Sequence, residues 1–273
     1  MDIGYILFNT IIYWTMAMLL ASFFSFGKLL HLGIGNFMVM LGYIIYNFIH
    51  QWFNRTSVIV AMAVIGFYLL INRGLLKYFP SSKQRDHVGI ILTLGVSIIL
   101  DNATSYIFWP NSVGLNLIDF KRYTLLIIFI LLISFFYYFF KHTLYGMTLK
   151  WISEDSKIIK SLGINSNKVL QYFFGSGLVL LVWMAFMILN EANFKPSDGM
   201  FYMIKGIWIM ILVGLGKKEY MFFWALLYVV VEYLLFIQRG LPISYKETLI
   251  LLVIVVLLLF KPEGLFTFKR RKI

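Results

Sequence analysis

Lys150–Lys168, KWISEDSKIIKSLGINSNK, is the long polar interruption in the C-terminal half of an otherwise apolar chain, and its reading decides how the rest is laid out. Ser153 is suited to cap a helix N-terminus, because its hydroxyl can accept a hydrogen bond from an unsatisfied amide of the first turn. Glu154 and Asp155 follow at the positive end of the helix dipole, with Lys157 and Lys160 toward the negative end. Gly163 stands where a left-handed residue would close the helix. Ile158, Ile159 and Leu162 occupy i, i+1 and i+4 and so gather on one face. The segment predicts a short helix of about two and a half turns, roughly 13 Å long, outside the membrane between two spans. On its residues alone it is either a connector resting on the bilayer surface or a knob for a groove in another protein.

Outward from this stretch the chain of 273 residues is 61% hydrophobic and 13% charged, with a mean hydropathy of +0.84. Soluble domains carry about 25% charged residues. Apolar runs long enough to cross roughly 30 Å of hydrocarbon recur along the whole length, which predicts an all-α, polytopic transmembrane helical bundle forming one domain over 1–273. The runs are continuous rather than alternating, which speaks against a barrel. The net charge of +12 resides in the loops between spans and at the C-terminus, so it reads as membrane orientation rather than as a nucleic-acid surface. With no cysteine there is no disulfide framework and no thiolate metal site. The N-terminal MDIGYILFNT lacks a basic region and a cleavage pattern, and is read as the start of the first span.

The expected spans are 5–26, 32–50, 56–76, 88–108, 122–141, 168–190, 201–216, 219–237 and 245–261, about nine in all, with eight or ten compatible with the pattern. Segments 32–50 and 201–216 are glycine-marked and are candidates for broken or re-entrant helices. With the C-terminal KRRKI inside and the spans alternating backwards, the inside set is Lys28, Arg73, Lys77, Lys83, Arg85, Lys141, Lys150, Lys157, Lys160, Lys168, Lys217, Lys218, Lys261, Lys269, Arg270, Arg271 and Lys272. Only Arg55, Lys121, Arg122, Lys195, Lys205, Arg239 and Lys246 fall outside or near the outer ends. That asymmetry places the C-terminus and the 150–168 segment in the cytoplasm and the N-terminus outside. The stretch 77–87, KYFPSSKQRDH, reads as a breaker-rich hydrophilic turn. Glu232, in LLYVVVEYLLF, must be protonated, hydrogen-bonded or facing water, because an ionised group at mid-bilayer costs several kcal/mol.

The run Tyr145–Val169, YGMTLKWISEDSKIIKSLGINSNKV, resembles the cytoplasmic loop of the permeases of branched-chain amino-acid ABC importers. There a glycine is followed four residues on by a basic residue, then Ala-Glu-Asp, then Leu-Gly-Ile-Asn. Gly146, Lys150, Ser153-Glu154-Asp155 and Leu162-Gly163-Ile164-Asn165 hold those places here. The resemblance implies that this segment is the coupling helix, with Gly146, Lys150, Ser153, Glu154, Asp155, Ile158, Ile159, Leu162, Gly163 and Ile164 engaging an ATP-binding subunit. The second span, HLGIGNFMVMLGYI, is similar to a family stretch at the start of a span near the translocation path, which brings in Gly33, Gly35 and Asn36. Ile34 replaces the family's histidine. Asn102 matches a family asparagine, and KPSDGMFYMIKGIWIMILVGLGKKEY matches at Pro196, Gly199, Lys205, Gly214 and Gly216. Glu232 also has a family counterpart. Gly33, Gly35, Asn36, Asn102, Gly214, Gly216 and Glu232 are thus the candidate path residues, and FKPEGLF resembles the family's ending.

The resemblance implies a second permease subunit, identical or different, two cytoplasmic ATP-binding subunits that bind ATP and Mg, and an extracytoplasmic substrate-binding protein. The chain would be a non-catalytic subunit of the cell's inner (plasma) membrane, without a cofactor, metal site or nucleic acid of its own. No G-x-x-x-x-G-K-[ST] occurs, so nucleotide hydrolysis by a P-loop in this chain is excluded. His31, His50, His87 and His142 lack ligand spacing. Two other readings remain open: a secondary transporter or channel working without ATP, and a membrane scaffold. The first needs intramembrane ion sites, for which only Glu232 qualifies by sequence.

Overall fold

The computed structural model describes residues 3–50, 55–79, 82–108, 111–115, 122–154, 159, 161–191, 193–214, 220–234, 252, 256 and 259. Its helices are α1 (Ile3–Gly27), α2 (Ile34–His50), α3 (Arg55–Tyr78), α4 (Ser82–Phe108), α5 (Arg122–His142), α6 (Leu144–Glu154), α7 (Ser166–Glu191), α8 (Asp198–Val213) and α9 (Met221–Glu232). Among the described residues there is no strand, only an isolated antiparallel bridge between Val113 and Phe194. The chain is a multi-pass helical membrane protein. Residues 3–27, 57–78, 87–108 and 166–191 are each long and apolar enough to cross a bilayer. Each expected span from the first to the eighth has its helix; the ninth, 245–261, lies outside the described residues except for helical positions 252, 256 and 259.

Two differences from the sequence expectation bear on function. The polar stretch 77–87 is mostly helix, since α3 runs to Tyr78 and α4 starts at Ser82; its charged residues occupy the first turns of α4. More consequentially, α6 is an extra helix, turned 68° from α5 at Thr143.

The fold comprises two compact units, Met1–Ala21 with Tyr202–Ile273, and Ser22–Phe201. The second is built on α2, in which Ile34 to Ile44 are buried without a break. Such a helix has no solvent or lipid face over that length, and α3, α4 and α7 pack around it. Within a bilayer, association rests on close packing and hydrogen bonds, because lipid tails are as apolar as the side chains. Phe23 meets Phe174 edge-on at 4.8 Å, and Phe140 meets Phe173 at 5.4 Å. Tyr68 donates to the Phe174 carbonyl at 3.1 Å, tying α3 to α7. The ring of Phe194 lies over Gly42, where an added Cβ would come within 3.0 Å of it. The Tyr43 hydroxyl donates to the Asn111 and Phe194 carbonyls, at 2.7 and 3.2 Å, and so holds both partners of the Val113–Phe194 turn.

In the first unit, Gly206 lets α8 approach Met16 and Leu20 of α1. Trp14 meets Phe222 edge-on at 5.4 Å. On α5 of the second unit, Ile127, Leu131, Phe135 and Tyr138 form an exposed stripe facing outward, as lipid or a neighbouring subunit requires.

Candidate functional site

The elbow between α5 and α6 is made possible by a missing side chain. A Cβ on Gly146 would collide with the backbone carbonyl of Phe140, so only glycine allows the chain to fold back at this angle. Thr143, at the corner, donates its hydroxyl to Phe139 O at 2.7 Å and accepts from Gly146 N–H at 3.3 Å. Tyr145 then donates to Val169 O at 2.7 Å, fastening the elbow to the first turn of α7. Along α6, Gly146, Leu149 and Ile152 recur every three residues and are buried. Leu144, Met147, Lys150, Trp151 and Glu154 are exposed. The result is a short helix presenting a mixed apolar and charged face.

Leu162-Gly163-Ile164-Asn165 has a definite mechanical job. Gly163 adopts φ +73°, and Ile164 N–H donates to Ile159 O, five residues back, at 3.2 Å, which is the six-to-one bond of a left-handed helix termination. Two residues later the Asn165 side-chain oxygen accepts from Asn167 N–H at 3.1 Å and Lys168 N–H at 3.3 Å, capping α7. A helix stop is thus followed directly by a helix start, and the approach to α7 is fixed in direction. The sequence indicated Gly163 but missed Asn165 as a cap, although an asparagine just before an apolar run is a standard start signal.

Three expectations need correction or bounding. Ser153 does not open the outer helix: it lies in the last turn of α6 and donates to Lys150 O at 2.6 Å, so its hydroxyl serves the preceding helix. Ile159 and Leu162 do not share a buried face, for Ile159 is fully buried and Leu162 is 60% exposed. Asp155 and Ile158 lie outside the described residues.

The candidate path residues fall into separate groups. Gly33, Gly35 and Asn36 form the start of α2, beside Thr93 and Ser97 of α4. Thr93 Oγ1 accepts from Leu32 N–H at 3.0 Å and donates to Gly89 O at 2.6 Å, while Asn36 Nδ2 donates to Ser97 O at 2.6 Å. Asn102 is not with them: it is exposed and its amide donates to Ile98 O within its own helix at 2.8 Å. Gly214, with φ +83° and its N–H donating to Met210 O at 3.0 Å, ends α8. Gly216 lies outside the described residues.

Glu232 is buried in the first unit together with Lys205, which loop-charge counting sets near an outer end. Lys205 Nζ stands 3.4 Å from Glu232 Oε1, donates to Tyr13 Oη at 2.9 Å and lies 4.8 Å from the centre of the Tyr13 ring. Tyr13 in turn meets Tyr228 edge-on at 5.7 Å. An ammonium is held by a carboxylate, a phenol oxygen and a π face together, which replaces much of the hydration it loses. Counting charges in loops cannot detect such a lysine, but its position amid an apolar run, MIKGIWIM, could have.

Among the described residues no group of three or more His, Asp or Glu side chains could hold a metal. A family model described as the permease component of a branched-chain amino acid transport system matches residues 3–258. No curated protein and no solved structure matches.

Proposed function

The chain belongs to the permease components of branched-chain amino acid transport systems, and from that premise we propose that it is the transmembrane subunit of an ATP-driven importer for a branched-chain amino acid or a related small polar solute. It acts as one permease domain over 1–273, paired with a second permease subunit. Two cytoplasmic ATP-binding subunits carry ATP and Mg, and an extracytoplasmic binding protein delivers the solute. The C-terminus and the elbow face the cytoplasm, as the distribution of lysine and arginine favours.

The observation that carries this reading is the α5–α6 elbow with its cap-to-cap junction into α7. Force applied to α6 reaches two long helices, through the corner at Gly146 and through the Tyr145–Val169 hydrogen bond. Packed helices transmit such a displacement because their interfaces switch between discrete arrangements. The exposed Met147, Trp151 and Glu154 supply apolar contact and charge to a docking partner.

Reversing charge with Glu154→Lys and Asp155→Lys is expected to abolish ATP-dependent uptake in cells expressing the full system, with membrane insertion unchanged. Uptake at the wild-type rate would favour an ATP-independent carrier.

A further inference from the structure

Between α1 and α2 the chain breaks, with Lys28 in the left-handed region at φ +48°. The break is deep along its neighbours. Leu32 is bonded to Thr93, the twelfth residue of the 27-residue α4, so α2 begins about 16 Å along a helix of about 40 Å. A helix therefore starts at bilayer depth, walled by α3, α4 and α7.

Its first turn is electrically unfinished. Gly33 O already accepts from Phe37 N–H at 3.0 Å, which makes Gly33 the capping residue, and glycine has no side chain to cap with. The amides of Gly33, Ile34, Gly35 and Asn36 therefore lack intrahelical acceptors. The turn holds no acidic residue to offset the positive dipole end. Asp198, in the first turn of α8, has one carboxylate oxygen accepting from Lys195 N–H at 2.8 Å.

Two buried side chains at this start carry polar atoms with no hydrogen-bond partner among the described residues. His31 is fully buried with both ring nitrogens unpartnered, and its Cε1 and Nδ1 lie 3.3 and 3.6 Å from where a Gly33 Cβ would sit. The imidazole is stacked on Tyr68 at 5.6 Å, with Phe23 and Phe37 beside it. Asn36, 4% exposed, uses its amide nitrogen on Ser97 and leaves Oδ1 unpartnered, against the backbone of Gly199. Each orphaned buried polar atom costs about 1–3 kcal/mol. An unneutralised helix start, a ring donor and an amide acceptor together match one ligand chemistry: a carboxylate with an ammonium beside it.

We propose that the start of α2 is the solute-binding site, in which the first-turn amides and a His31 ring N–H hold the carboxylate of a free amino acid and Asn36 Oδ1 accepts from its ammonium. The inference rests on the importer reading and narrows it, for it selects amino acids over neutral amides such as urea. The aromatic wall of Phe23, Phe37 and Tyr68 suits an apolar side chain. The small size of Gly33 and Gly35 lets the ligand approach the backbone.

The test uses the full chain co-expressed with its partner subunits. Radiolabelled leucine uptake is measured in competition with unlabelled leucine, leucinamide and urea, in the wild type and in His31→Phe and Asn36→Asp variants, with thermal midpoints confirming the fold. Leucine is expected to compete and the two amides not. Each variant is expected to lose apparent affinity by about tenfold or more, the consequence of losing one hydrogen bond to a charged group. His31→Phe keeps the aromatic packing, and Asn36→Asp keeps side-chain size while removing the amide donor and adding charge, so a folded variant isolates the chemistry. Competition by leucinamide equal to that of leucine, uptake of urea in place of leucine, or unchanged affinity in both variants would overturn the site while leaving an ATP-driven importer standing. ATP-independent uptake that still shows the carboxylate requirement would overturn the importer reading and keep the site.

Discussion

Glu232→Ala is expected to destabilise the protein by about 3–5 kcal/mol, because it strands a buried ammonium. Lys205 would keep Tyr13 but lose the carboxylate 3.4 Å away, at a position where water cannot replace it. Lys205→Ala should cost a similar amount by stranding Glu232. The informative comparison is with the double variant, Lys205→Met with Glu232→Met. Replacing a buried ion pair by apolar residues of similar volume is often neutral or stabilising by about 1–4 kcal/mol, so the double variant should regain the stability that each single variant loses. Unfolding of the purified protein in mixed micelles reads this directly. Additive losses in the double variant would show that the two residues act independently.

The second large effect falls on the elbow. Gly146→Ala puts a methyl group into the Phe140 carbonyl, and the chain can relieve that overlap only by opening the 68° turn. Overpacking of this kind costs about 1–3 kcal/mol, enough to depopulate the bent arrangement by tenfold or more. Uptake should fall correspondingly while α5 and α7 remain inserted. The control is Gly74→Ala on α3, where an added Cβ meets nothing within 4 Å. That change should leave uptake intact and slightly stabilise the helix. Wild-type uptake by the Gly146→Ala variant would mean that the elbow is not part of the working cycle.

The spans are legible in the sequence because continuous apolar runs of bilayer length have few alternatives. Gly163 is legible for a local reason: a glycine after an amphipathic stretch is a helix stop. The features that position the candidate sites are not, because each depends on a contact that no local pattern encodes. The start of α6 is dictated by the Phe140 backbone pressing on Gly146, a tertiary constraint. Ser153 has the chemistry of a cap but serves the helix before it, since a hydroxyl can equally donate to a carbonyl three residues back. Lys205 and Glu232 are 27 residues apart, and only the packing of α8 against α9 makes them a pair. His31 reads as a loop-edge histidine in sequence, yet the break between α1 and α2 lies beside the middle of α4. The glycines at 33 and 35 signal close packing by their size; their other property, leaving a helix start uncapped, emerges only from the surroundings of that turn.

The chain contains no cysteine, so a Glu154→Cys variant carries a single thiol at the tip of α6. Treated with a membrane-impermeant maleimide and a short bifunctional crosslinker, that thiol is predicted to react in inside-out vesicles and not in right-side-out ones. It is further predicted to join the chain to a co-expressed subunit that hydrolyses ATP. Labelling from the external face, or a cytoplasmic thiol that never reaches a nucleotide-hydrolysing subunit, would contradict the claim that this permease is driven from within through α6.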